Sequence, residues 1–527
     1  MTVNNKLNSN TTGLRYAEEA SPKTLPGTPV WVPQEPNSYS DFGGQLTTLA
    51  RNPINDSRQR KKGVVVDLDA SGGYGTDLTQ TNLQHLLQGF VFADLRPKGE
   101  AKNEIGISVL TLSVTATGSI FTRVGGTLDL TGEFALDDLI LSAGFANSAN
   151  NGLFKVAAIT STTVDVVAAD GLDTAVTLID EAATADGSLV QVGVEGEAGD
   201  IDVDMTGSRP ALTSTTLDFT ALGLVVGEDI FIGGDLTANK FTTATNNGFA
   251  RIRSIAAGRL EFDKTQATMV TEPSTAELIH LFFGRVLKNE LGALIVRRTY
   301  QLERTLGKAD TGDTYDQAEY ITGAVPNEMT INIATADKVT IDLAFVAMNH
   351  ELVDGDTGPK SGTRPAIVES DAFNTSSDFS RIKLAVMNET DANPTALFAF
   401  ANEVSININN NVSPDKAISV LGAFDATAGT FEVGGDITAY FADVAAVEAV
   451  RNNSDITMDM KLVKSNSGIS IDLPLITLGD GRLDVEQDQS IKIPLSKEAA
   501  TGKKIDINLD HTLLMVFFDY LPTLADI

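Results

Sequence analysis

"RKKGVVVDLDASGGYGTDLTQTNLQHLLQGFVF" occupies residues 60–92 and holds two hydrophobic periods in one run. In its first part Val64, Val66, Leu68 and Ala70 share one face of an alternating strand, and Asp67 and Asp69 point the other way. From Leu83 the spacing changes. Leu83, Leu86, Leu87, Phe90 and Val91 recur at i, i+3, i+4, i+7 and i+8, which predicts an amphipathic helix with Asp77 or Thr79 as N-cap. "ASGGYG" at 70–75 lacks the strand-to-helix frame of a dinucleotide-binding loop and reads as a flexible turn between the two elements.

Working outward, the run is preceded by a strand, "QLTTLA", and a polar, basic loop at 51–63, "RNPINDSRQRKKG". The same order recurs in the second half of the chain. A strand "NEVSINI" at 402–408 leads into the polar loop "NNNVSPDKA" at 409–417, and then into alternating "TFEVGGDITAYF", where Phe431, Val433, Ile437, Ala439 and Phe441 share a face. A helix follows at 443–453 with Asp443 as its N-cap, and then "DITMDMKL", in which Ile456, Met458, Met460 and Leu462 alternate. "NEMTINI" at 327–333 echoes "NEVSINI", but such heptapeptides recur readily in strands, so the order of elements carries more weight.

The expected organisation is therefore mainly β. An extended, Pro-rich N-terminal arm covers 1–41, because proline blocks helix interiors and sheet centres. One discontinuous β domain covers 42–101 and 282–350, a turn-rich linker covers 351–371, and a related β domain covers 372–527, each domain with one helix. Residues 102–281 form an insertion with its own repeat. "DDLILSAGF" leads to "NNGLFKV" at 150–156, and "EDIFIGGDL" leads to "NNGFARI" at 246–252, which predicts two small duplicated β modules with Asn-Gly type I′ hairpin tips.

At 527 residues the chain exceeds one ordinary core, and a prior of about 150 residues per domain gives roughly three or four domains. Its net charge of -31 disfavours nucleic-acid binding through a basic footprint, though it suits a surface past which DNA must slide. The absence of Cys excludes disulfides and thiolate chemistry. The N-terminus has no apolar signal core and no stretch is long enough to span a membrane, so synthesis and assembly are expected in the cytoplasm.

No chemistry-bearing constellation emerges. His85, His280, His350 and His511 lack metal-ligand spacing, and "TLGKADTGDT" lacks the leading glycine loop of a phosphate site. Asp200, Asp202 and Asp204 alternate, and a strand would place all three on one face, either as a weak Ca²⁺ site or as edge charge that blocks aggregation. Arg58, Arg60, Lys61 and Lys62 form the one strongly basic spot. It reads better as a loop that salt-bridges to an acidic neighbouring subunit than as a nucleic-acid site.

"GLRYAEEASPKTLPGTPVW" at 13–31, the stretch from "LTTLARNPIND" at 46 to "LLQGFVF" ending at 92, and "TYQLERTLGKADTGDTYDQAEYITGAVPNEMTINI" from 299 together resemble the tail tube proteins of long-tailed, siphovirus-like bacteriophages. The resemblance implies two tandem β-sandwich tube domains, each flanked by a helix, with three subunits making a ring of six tube folds and rings stacking into a hollow tube. It implies that the loops containing Arg58, Arg60, Lys61, Lys62, Asp415 and Lys416 bridge stacked rings, and that Asp67 and Asp69 are candidates to line the lumen. The implied partners are further copies of the chain and the tape-measure, tail-terminator and distal-tail proteins, with viral DNA passing unbound and no cofactor, metal or membrane involved. The virion tail is the implied location, and the inserted modules would project from the tube. The alternative is a secreted or surface adhesin that binds glycan or calcium; a polysaccharide-cleaving enzyme would need paired carboxylates in a cleft.

Overall fold

In the computed structural model the described residues are 7, 9, 12–54, 56, 59–103, 110–308, 314–368, 370–388 and 390–526. Strands dominate, and the two α-helices among these residues are Gln84–Val91 and Ala445–Arg451, so the chain is mainly β as its alternation predicts. It divides into two compact units. One is built from Met1–Ala93, Ile295–Phe373 and Glu403–Gly435, the other from Asp94–Leu294, Asn374–Asn402 and Asp436–Ile527.

In the first unit the centre is the long strand Gln317–Ala334. It pairs antiparallel with Tyr300–Gly307, with Thr340–Ala347 and with residues 403–409, so that Ile331 faces both Ile341 and Ile406. The two echoing heptapeptides thus lie side by side, Met329 opposite Ile408 and Ile333 opposite Val404. Alternation is clean on Thr340–Ala347, where Ile341, Leu343, Phe345 and Ala347 are buried. Beyond it lies Lys61–Asp77, then Pro36–Arg51.

"ASGGYG" is therefore no turn: residues 70–75 run inside the strand Lys61–Asp77. Strands press on it from both sides, and a Cβ on Gly73 would come within 2.9 Å of the Leu343 carbonyl oxygen and 2.5 Å of Ser40 Oγ. Glycine is there for close backbone approach, not for flexibility.

Two more expectations are corrected at the ends of this unit. Residues 1–41 hold the strands Gly13–Glu18 and Val32–Gln34 and the start of Pro36–Arg51, with Pro33 and Pro36 at or near strand ends. The turn-rich stretch after 351 is folded into the unit: Trp31 N–H donates to the Thr363 carbonyl at 2.8 Å, and Arg364 Nε and Nη2 donate to the two Glu303 carboxylate oxygens.

The predicted helix is present as Gln84–Val91, but its N-cap position is Leu83, without a side-chain cap. Asp77 and Thr79 act earlier, since Asn82 Nδ2 donates to the Asp77 carbonyl and Asn82 N–H to Thr79 Oγ1. Gly89 lets the helix approach closely; a Cβ there would meet the Tyr300 ring at 2.7 Å. Phe90 is fully buried and sits edge-on to Phe345, their centroids 5.2 Å apart.

The second unit contains the insertion and the C-terminal strands. Within the insertion two successive groups of strands pair in the same order. Asp138–Ala143 pairs with Gly152–Ile159 and that with Thr163–Ala168, just as Asp229–Ile232 pairs with Gly248–Ala256 and that with Arg259–Thr265. Each group closes its own core, one around Phe121, Ile140 and Val164, the other around Ile230, Ile252 and Phe262.

The paired Asn-Asn-Gly stretches do not form type I′ hairpin tips. Asn151 is extended (φ −107°, ψ 135°), and Gly152 opens the next strand. Their side chains clasp the preceding loop instead. Asn151 Oδ1 accepts from Phe145 N–H at 3.0 Å and its Nδ2 donates to the Phe145 carbonyl; Asn247 repeats both bonds with Phe241. A carboxylate completes each clasp: Glu181 Oε1 accepts from Ala146 N–H and Oε2 from Asn150 Nδ2, while Glu272 does the same for Thr242 and Asn246. Asn247→Ala strands a loop N–H and carbonyl together. It is expected to cost about 1–3 kcal/mol locally, read as faster amide exchange in the 241–247 loop with the 145–151 loop unchanged.

The insertion meets the C-terminal strands through a buried ionic layer. Arg251 is fully buried and forks onto Asp263, with Nε and Nη2 at 2.8 and 2.7 Å, while its Nη1 lies 2.9 Å from Asp472 Oδ2. Lys264 Nζ is 2.6 Å from Asp472 and 3.5 Å from Asp459, which Arg381 also holds at 2.9 Å. Lys461 pairs with Asp229, whose carboxylate also accepts from Ser470 Oγ at 2.6 Å. Beside this layer Phe231, Phe249, Val286, Val516 and Phe518 form an apolar cluster. In "DITMDMKL" the polar alternates Asp459 and Lys461 are thus buried as deeply as Met458 and Met460.

The helix Ala445–Arg451 belongs to this unit. Val444 holds its N-cap position, and Asp443 Oδ1 accepts from Ala445 N–H at 2.8 Å, so the expected capping group serves the helix from one residue earlier.

Candidate assembly surface

Strand Thr340–Ala347 covers Lys61–Asp77 only from Asp77 back to Ala70. Past that point residues 61–69 pair with 45–51 alone, as a two-stranded ribbon. A ribbon without further sheet neighbours or a covering layer has nothing to bury its side chains against. Val64 and Val66, expected on the core face with Leu68 and Ala70, are accordingly exposed, Val64 by 54%. Leu49 is exposed by 65%, Leu46 and Val65 are also open, and Ile54 at the tip is wholly exposed.

Of the basic residues at this tip, Arg60, Lys61 and Lys62 are exposed and have no ionic partner among the described residues; Arg58 lies outside those described. Lys416 behaves differently. It lies at the end of the strand Ser413–Lys416, which pairs with Ala423–Thr427, and its Nζ reaches Asp67 and, at 2.5 Å, Asp69 Oδ1. The two lumen candidates and one loop candidate thus meet in a single exposed ion cluster, with Lys416 holding the Asp67 carboxyl below the usual range. Asp415 accepts from Thr427 Oγ1 at 2.6 Å and serves the turn. Between these short strands Ile418, Val420 and Leu421 are exposed, Ile418 by 99%, and Phe424 in the second strand is exposed as well.

The second unit carries a surface that sequence reading missed. Between strands Ser467–Asp480 and Lys492–Ala500, residues 482–491 are all exposed. Asp480, Asp484, Glu486 and Asp488 make no ion pair among the described residues, and Leu483, Val485 and Ile491 stand open between them. The signal was legible as "DGRLDVEQDQSI", four acids and one base between two alternating strands.

Other polar and charged groups serve the fold. Asp200 accepts from Ser214 Oγ and from the N–H and hydroxyl groups of Thr215 and Thr216, Asp202 accepts from Ser274 N–H, and Asp204 is held by Arg259 and Thr206. Three separate sets of donors occupy the three carboxylates. His280 Nε2 lies 2.8 Å from Glu195 and His350 Nε2 2.7 Å from Glu319, His511 is fully buried, and His85 is exposed. A cleft of about 410 Å³ in the insertion is lined by Glu133, Asp137, Glu195 and Asp138, whose carboxyl burial pushes up to about 6. Asp138 accepts from Ala135 N–H and Gln191 Nε2 and so pins its own loop.

Lys497 is buried, and burial pulls its ammonium from the ordinary 10.5 to about 7. A base with a depressed folded-state pKa contributes its full stability above the unfolded value, and that contribution falls away as pH drops from 10.5 towards 7. Lys497→Met is therefore expected to raise the melting midpoint at pH 7 and to change it less at pH 10. A gain of equal size at both pH values would contradict this account.

An acidic, mainly β chain with apolar ribbons, unpaired charged loops and carboxylates committed to turns has the makings of a structural protein. The family model for phage tail tube proteins matches residues 9–499, and the chain belongs to that family. It is a structural component of the bacteriophage tail, and the family is not one of enzymes. No curated protein matches the chain.

Proposed function

We propose that this chain polymerises as stacked rings into the hollow tail tube through which viral DNA reaches the host. Three subunits contribute six tube folds to each ring, as in long-tailed, siphovirus-like phages, with assembly in the host cytoplasm. The observation that carries this reading is the ribbon 45–51/61–69, whose Leu46, Leu49, Val64, Val65 and Val66 side chains are open to solvent. Exposed edges and apolar patches of this kind are liabilities on a monomer and are relieved by closure onto further copies. Ring symmetry closes such repeated contacts.

The tandem reading of two tube domains rests on the recurrent order of strand, loop, strand and helix, with helices at Gln84–Val91 and Ala445–Arg451. The net charge of -31 suits a lumen that repels phosphates, with Asp67 and Asp69 as candidate lining residues beside Lys416. The loops with Arg58, Arg60, Lys61, Lys62, Asp415 and Lys416 are assigned to contacts between rings. The inserted modules, each with its own core, are assigned to the tube exterior, and the tape-measure, tail-terminator and distal-tail proteins to its interior and ends.

Negative-stain microscopy and native mass spectrometry of the purified chain test this. Rings or tubes built on trimers are expected, and a protein that stays monomeric at high concentration would sink the proposal.

A further inference from the structure

Two exposed loops of opposite charge stand out on a chain that is acidic overall. The described residues at the tip of the ribbon, 51–54, 56 and 59–62, carry four bases against one acid, while residues 480–491 carry four acids against one base. On a chain of net charge -31, a basic tip whose cations Arg51, Arg60, Lys61 and Lys62 all lack an ionic partner among the described residues is unusual. The acidic loop mirrors it, for its four carboxylates are also without ion pairs among the described residues.

The match extends to apolar surface. The basic tip is flanked by Leu49, Ile54, Val64 and Val66, and the acidic loop by Leu483, Val485 and Ile491, Val485 being exposed by 66%. Charge alone would steer the approach of two surfaces without holding them, because exposed ion pairs contribute little and are screened by salt. Apolar residues beside complementary charges supply what a stable contact needs.

We infer that the ribbon tip that carries Arg60, Lys61 and Lys62 in one copy docks on the acidic loop 480–491 of a second copy, with these three bases facing Asp484, Glu486 and Asp488. This rests on the self-assembly reading above and names the mating surface within it. The partner is this same chain, chosen by charge and by the open apolar residues on both loops.

The test is a charge swap in the full-length chain. Arg60→Glu/Lys61→Glu/Lys62→Glu and Asp484→Lys/Glu486→Lys/Asp488→Lys are each expected to abolish tubes while circular dichroism and melting midpoint stay close to the parent, because all six side chains are exposed. One chain carrying both sets restores complementary sign at every contact, and an equimolar mixture of the two proteins restores it wherever they alternate; both are expected to assemble again. Assembly of either single-loop variant at the parental level overturns the inference, as does failure of the combined chain and the mixture to recover. A parental chain that forms no rings or tubes defeats the self-assembly reading itself, a result separable from normal parental tubes with indifferent variants. A tenfold rise in salt is expected to shorten parental tubes.

Discussion

Arg251→Met is expected to lower the unfolding free energy of the unit that holds the insertion by about 3–5 kcal/mol, the cost of breaking a buried ion pair from one side. The guanidinium is fully buried between Asp263 and Asp472. Burial opposes its charge, but the two carboxylates outweigh that cost and hold its pKa above the ordinary value. Removing it leaves Asp263 without its fork and Asp472 with Lys264 alone. Replacing Arg251, Asp263 and Asp472 together by apolar residues of similar volume is expected to recover much of the loss, since a buried ionic cluster is worth little against good packing. Urea titration followed by amide exchange in 248–265 and 456–472 checks both; a loss below about 1 kcal/mol for Arg251→Met would mean that the site hydrates freely.

The same layer sets the acid limit. Burial would raise the Asp459 carboxyl, but Lys264, Arg381 and Lys461 outweigh it and hold the pKa far below the ordinary 3.8. Asp472 is shifted in the same direction by Arg251 and Lys264 against its own burial. Acids with depressed folded-state values contribute stability that is present above the unfolded pKa and lost as pH falls through the folded one. The modules should therefore stay joined to the C-terminal strands at pH 4 and separate only in stronger acid.

Phe90→Ala is expected to cost the other unit about 3–5 kcal/mol, the range for deleting a buried aromatic ring. Phe90 closes a row of rings that runs through Phe345 and Tyr300 to Tyr16, successive centroids 5.2, 6.5 and 5.7 Å apart. Gly89 allows no bulkier neighbour to fill the space, because any side chain there strikes Tyr300 and Pro326. Phe90→Leu should lose less than half as much, which separates volume from aromatic geometry. Exchange protection of strand 317–334 reports the effect. If Phe90→Ala leaves that strand as protected as the parent, the helix is not part of this core.

Much of the architecture was legible in residue periodicity. Leu83, Leu86, Leu87, Phe90 and Val91 predicted the first helix, and Ile341, Leu343, Phe345 and Ala347 are buried as their alternation requires. The duplicated Asn-Asn-Gly stretches marked a repeat, but the turn geometry assigned to them was wrong, because the asparagine side chains satisfy backbone groups of their own loop. "ASGGYG" misled for a related reason: glycine marks both flexible turns and strands squeezed between neighbours, and only the neighbours distinguish them.

Alternation fixes which residues share a face, since that depends on local backbone geometry alone. Whether the face meets solvent depends on what lies across from it, and only the tertiary structure decided that. Val64 and Val66 have the pattern of core residues but are exposed where strand 340–347 ends, and Asp459 and Lys461 have the pattern of surface residues but are buried against Lys264 and Asp229. The sequence by itself therefore determined a mainly β chain with two helices and a repeated insertion. The placement of its apolar ribbon and its buried charges came from long-range pairing, because burial belongs to the partner surface as much as to the residue.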